Sequence, residues 1–214
     1  MSNRDGHYHI FVMTELGLGI RPLTTTDADD GFSRWSPDGS RILFTSVRVG
    51  TSELYVMRAD GSDQTRLTHD FGNVSGGAWS PDGSRIAFVS GRTGATEIYI
   101  MQADGTNPVR ITSDGTLLGS RLSWSPDGSR IAFHVYVGDF ATVDVINVDG
   151  TNQTQLTHDP SLNRFATWSP DGLRIAFTSD RDGDEEIYFM NADGTGVTRV
   201  THSPGLDVVE AWRR

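Results

Sequence analysis

Short apolar runs alternate with polar, glycine-containing stretches along the whole chain. RIAFVS (85–90) and EIYIM (97–101) are apolar at both odd and even positions, so each predicts a strand covered on both faces. TRLT (65–68) is half polar and predicts an outer strand. GGAW (76–79) predicts a strand that ends at its tryptophan. SPDG and ADGTN lie between these runs. Proline fixes φ, aspartate tolerates the bend and glycine takes φ > 0, so both predict tight turns.

The pattern recurs. WSPDGSRIAF stands at 79–88 and again at 124–133, with WSPDGSRILF at 35–44 and WSPDGLRIAF at 168–177. Trp35, Trp79, Trp124, Trp168 and Trp212 are 44 or 45 residues apart, and each interval reads as four short strands. Units that bury both faces against like neighbours stack without end or close into a ring. A period in the low forties with four strands per unit predicts the ring, a β-propeller. The expected fold is therefore all-β, one propeller domain over residues 1–214 with about five four-stranded blades centred on those tryptophans.

The fifth blade is expected to be shared between the ends. RDGHYHIFVM (4–13) aligns with RDGDEEIYFM (181–190) and supplies a third strand. IRPLT (20–24) supplies a fourth and VVEAWRR (208–214) a first. The phrase SPDGSRIAF is missing between them, so this blade lacks its second strand. A closed monomeric ring, with strand three paired directly to strand one, is the expectation. A dimer through the incomplete blade, or a place within a larger ring, are the alternatives.

The phrase WSPDGSRIAFVS, with EIYIMQADGTNPVRIT after it, resembles the WD-like repeat of TolB-type propellers over nearly the whole chain. The resemblance implies the fold. For function it implies several outcomes: periplasmic protein-binding domains, non-catalytic propellers attached to peptidases, and a few metal-dependent polysaccharide lyases. A periplasmic or secreted location is implied by the resemblance alone, since MSNRDGHYHIF lacks a basic start and an apolar centre.

Composition narrows the partners. The 18 basic residues are all arginine, cysteine is absent and the net charge is −10. Thiolate chemistry, disulfides and zinc–cysteine sites are excluded. The acidic balance argues against nucleic acid, and no apolar run is long enough for a membrane helix.

Candidate chemistry lies where the repeats diverge. In a propeller the fourth-to-first and second-to-third loops share one face around the channel mouth, and loops carry function. The binding candidates on that face are His7, His9, Asp29, Asp30, Asn73, His134, Tyr136, Asn163 and Asp207. His7 and His9 stand where the matching repeat has Asp184 and Glu186; His134 stands in place of Thr178 and Tyr136 in place of Asp180. His69, His158 and His202 occupy equivalent positions in different blades, which places them on a wide circle and predicts exposed or structural roles. Asp180, Asp182 and Asp184 alternate as calcium ligands do. Calcium is the one cofactor suggested, against a solvated acidic loop, because SVRVGTSE (46–53) and SGRTGATE (90–97) keep the loop without the acids. Arg48, Arg92 and Arg181 are expected to satisfy loop carbonyls or Glu53, Glu97 and Glu186. No nucleophile elbow, phosphate loop or HExxH motif occurs.

The leading expectation is a non-enzymatic scaffold that binds a protein or peptide through its loop-rich channel face. The alternatives are a metal-dependent, lyase-like enzyme acting on an acidic sugar polymer, with His7, His9, His134 and Tyr136 as candidates, and a structural fragment of a larger propeller.

Overall fold

The computed structural model describes residues 6–113, 115, 117–202, 205–209 and 212. The regular elements among them are all strands. An N-terminal pair, β1 (Phe11–Val12) and β2 (Arg21–Pro22), precedes four blades. The first blade is β3 (Asp30–Trp35), β4 (Arg41–Ser46), β5 (Glu53–Arg58) and β6 (Thr65–Arg66). The second is β7 (Val74–Trp79), β8 (Arg85–Ser90), β9 (Glu97–Gln102) and β10 (Val109–Arg110). In the third the first strand is split into β11 (Leu117–Leu118) and β12 (Ser123–Trp124), ahead of β13 (Arg130–Val137), β14 (Phe140–Asn147) and β15 (Thr154–Gln155). The fourth is β16 (Arg164–Trp168), β17 (Arg174–Ser179), β18 (Glu186–Asn191) and β19 (Thr198–Arg199). Every blade is an antiparallel meander.

The SPDG turn closes on itself. The Ser80 hydroxyl donates to Asp82 at 2.5 Å and accepts the Arg85 amide at 2.9 Å. Asp82 accepts the Ser84 amide at 3.1 Å, and Gly83 takes φ 70°. The same bonds recur around Asp38, Asp127 and Asp171.

Alternate residues of the second strand point to opposite neighbours, which is why both faces are apolar. Ile42 and Phe44 face back onto Ile10, Val12 and Leu23 of the N-terminal pair, while Leu43 faces forward into the second blade. Ile86 and Phe88, Ile131 and Phe133, and Ile175 and Phe177 repeat the arrangement at the next three interfaces. Each of these phenylalanines is fully buried. The arginine that opens the strand covers the tryptophan of the following blade: Arg41 lies 4.9 Å from the Trp79 ring, Arg85 4.9 Å from Trp124 and Arg130 4.6 Å from Trp168. Trp79, Trp124 and Trp212 in turn donate their indole N–H to a carbonyl of the preceding blade's first strand.

All five tryptophans border one opening of about 680 Å³, so the ring has five first-strand positions and four complete blades. The N-terminal pair packs against the first blade, and Val209 and Trp212 of the C-terminal segment bond to Thr178 and Thr167 of the fourth. The expected direct pairing of strand three with strand one falls on termini that lie in part outside the described residues.

Candidate functional site

The fourth-to-first and second-to-third loops meet as the repeat geometry requires. The Val47 amide donates to the Asp29 carbonyl at 3.2 Å, Gly91 to Asn73 at 3.1 Å and Asp207 to Glu185 at 2.8 Å. Side chains clamp the two loop sets together. Buried Asp30 pairs with Arg48 at 3.1 Å, and Arg48 stacks 4.5 Å from the Tyr55 ring. In the fourth blade buried Asn163 accepts Arg181 at 2.8 Å and donates to Asp159 at 3.0 Å, and Arg181 pairs with Asp159 at 3.0 Å. Arg48 and Arg181 therefore clamp the loop before the first strand and do not pair with Glu53 or Glu186, contrary to the sequence expectation.

Those glutamates belong to a separate buried motif. Glu53, Glu97 and Glu186 accept the hydroxyls of Thr68, Thr112 and Thr201, and Arg66 and Arg199 pair with the first and third. His9 occupies the same place in the N-terminal pair. It is buried beside Thr24, whose hydroxyl accepts the Ile10 amide at 3.1 Å. His7 is half-buried and lies 3.7 Å from Asp29, which also accepts the Tyr8 amide.

His134 is 1 % exposed. Its ring meets Tyr136 and Phe165 edge-on at 5.2 and 5.7 Å. It fills the space left by Gly119, where a Cβ would stand 1.8 Å from its Nε2. Burial, with Arg164 and then Arg121 nearby, lowers its pKa to about 4, so it is a neutral packing group near pH 7. Asn73 is exposed and accepts the Ser52 amide at 3.5 Å. His69, His158 and His202 are all exposed.

The alternating aspartates make separate contacts. Asp180 accepts the Leu162 amide at 2.7 Å. Asp182 accepts the Tyr188 hydroxyl at 2.5 Å, and burial and this contact raise the tyrosine to about 12. Asp184 is exposed. Among the described residues no three His, Asp or Glu side chains group closely enough to hold a metal ion.

The sequence reading missed the position three residues before each tryptophan. It holds Phe32, Gly76, Arg121, Phe165 and Val209, and it varies within an otherwise repeated phrase. Strands β3, β7 and β16 bulge there, and Phe32, Gly76 and Phe165 take φ of 49°, 67° and 59°. Gly76 is required, since a Cβ would meet the Ser120 carbonyl oxygen at 1.6 Å. Phe165 lies between Arg121 at 4.6 Å and Arg164 at 5.2 Å, and Arg121 reaches the Val209 carbonyl at 2.8 Å. Phe32, Gly76 and Arg121 border a cavity of only about 30 Å³.

The profile of the TolB beta propeller domain matches residues 33–123 and 119–212. The chain belongs to this family. It superimposes on the structure of a putative TolB from Agrobacterium tumefaciens with TM-score 0.74 and 28 % identity, covering 86 % of this chain and 66 % of that one. It superimposes on TolB from Acinetobacter baumannii with TM-score 0.74 and 21 % identity, covering 86 % and 46 %. An oligogalacturonate lyase from Vibrio parahaemolyticus matches with TM-score 0.67 and 15 % identity, covering 85 % and 56 %, a likeness of fold alone. The chain thus spans less than two thirds of the length of these TolB-like structures. Among the described residues no helix is long and apolar enough to cross a membrane.

Proposed function

We propose that this TolB-family propeller is a non-enzymatic scaffold that binds a protein or peptide partner through the face built by its fourth-to-first and second-to-third loops. The observation that carries the reading is the pair of clamps, Asp30–Arg48 and Asn163–Arg181–Asp159, which fix the loops on the blades. They commit the buried polar groups to structure. Asp27, Asp29, Asp70, Asp182 and Asp184 remain exposed on the outer rim. A preorganised acidic rim favours a basic partner segment and fast, salt-dependent encounter.

The test is selection of binding peptides from a displayed random library, followed by charge reversal. Asp29→Arg with Asp184→Arg should abolish binding of the selected, basic peptides. Asp104→Arg with Asp149→Arg, in the turns at the opposite end of the blades, should leave it intact. The reverse pattern overturns the assignment of the face. Turnover of oligogalacturonate in the presence of manganese, lost on His134→Ala, overturns the non-enzymatic reading.

A further inference from the structure

The SPDG turns stand at the end of the blades opposite the loop face, around the opening of about 680 Å³. Pro37, Pro81, Pro126 and Pro170 line it together with the tryptophans. Its volume lies in the range of cavities that hold small molecules. Arg34 is the one charged residue among the described residues that line it, and its guanidinium is engaged with the Ser33 carbonyl at 3.2 Å. The wall is not uniform. Trp79, Trp124 and Trp212 donate their indole N–H to the carbonyls of Arg34, Ala78 and Thr167 at 3.3, 3.1 and 3.1 Å. Trp168 lines the same opening and is 5 % exposed, yet its indole N–H has no acceptor among the described residues. A buried donor without a partner costs free energy that an acceptor recovers. Two hydroxyls sit beside this tryptophan. Ser123 Oγ accepts the Trp168 amide at 3.1 Å and lies 3.5 Å from Thr167 Oγ1. Arg34 and Ala78 hold the same position in the first two blades, so the hydroxyl pair is confined to the third and fourth.

We infer that the tryptophan opening is a binding site for an uncharged sugar that carries an amide, an N-acetylated saccharide. The apolar C–H face of a pyranose ring packs on the proline rings and the tryptophan edges. Its hydroxyls exchange hydrogen bonds with Ser123 and Thr167, each of which can donate and accept. The amide carbonyl takes the Trp168 N–H, as backbone carbonyls take those of Trp79 and Trp124. Among the described residues no carboxylate lines the opening, so an uncharged ligand loses least on leaving water for this wall. The site is separate from the acidic loop face and does not rest on the partner proposed there.

The probe is N,N′-diacetylchitobiose, titrated into the isotope-labelled intact chain while the indole N–H resonances of the five tryptophans are followed by NMR. Trp168→Phe assigns the Trp168 resonance by its loss. That resonance should move downfield and saturate as the N–H gains its acceptor. Cellobiose, the same disaccharide skeleton without the amides, should bind at least about tenfold more weakly, the scale of one buried hydrogen bond. Thr167→Val keeps the shape of the side chain and should weaken diacetylchitobiose to a similar degree; melting curves verify that it folds. Asp29→Arg with Asp184→Arg should leave sugar binding unchanged, which separates this site from the loop face. The inference is overturned if the Trp168 resonance stays in place at millimolar diacetylchitobiose, if cellobiose binds equally well, or if Thr167→Val has no effect. Acetyl-prolyl-prolinamide offers the carbonyl without the hydroxyls. If it moves the Trp168 resonance and the sugar does not, a peptide is the occupant and the inference is likewise overturned.

Discussion

His134 shows how one residue can look functional in sequence and be structural in space. It interrupts a position held by threonine in the first and fourth blades, Thr45 and Thr178. Its buried ring replaces the side chain that Gly119 lacks. In the unfolded chain the imidazole takes a proton near pH 6.5, whereas in the fold it does so only near 4. The stability from keeping it neutral is complete above 6.5, falls as the pH drops toward 4, and is constant below. The full difference corresponds to roughly 3 kcal/mol. A proton NMR titration should show the His134 ring unprotonated at pH 5, and His134→Phe should flatten the decline of melting temperature between pH 6.5 and 4. A ring that titrates near 6.5 refutes its burial.

At the scale of the element, the repeated turn and the tryptophan that precedes it do different work. Serine hydroxyls and the following amide hold Asp38, Asp82 and Asp127 near pKa 2, and Asp171 is lowered by the same contacts. For Asp38, Asp82 and Asp127 this stabilisation is full above the ordinary carboxylate value near 3.8 and is lost as the pH falls through about 2, below the window of His134. Ser80→Ala should therefore raise the Asp82 midpoint and start acid unfolding at a higher pH, read by circular dichroism. Trp124 is buried between blades, so Trp124→Ala is expected to cost about 3–5 kcal/mol in a denaturation experiment. Trp35 is half exposed, so Trp35→Ala should cost clearly less than Trp124→Ala. Equal costs for the two would refute the interface assignment. The turns, the strand order and the two-faced strands were legible in sequence because local chemistry dictates them. The partners of Arg48 and Arg181 were not, because Asp30 and Asn163 lie 18 residues away and approach only after the blade forms.

For the whole molecule, periodicity announced the propeller of four-stranded blades, since identical phrases must occupy identical environments. The candidate site was legible only as a face. The meeting of its loops follows from topology, but the bulges at Phe32 and Phe165, and the filling of the Gly119 space by His134, depend on contacts between blades that no single repeat encodes. The central claim is that each interface between blades is completed by the second strand of the following blade. A permuted chain tests it most directly. New ends are placed at the exposed Val49–Gly50 turn, and the old ends are joined either through SPDGSRIAF or through a glycine–serine segment of equal length. Burying one Ile and one Phe should raise the melting temperature of the first above the second by roughly 10 °C. Identical melting temperatures for the two chains would contradict the account.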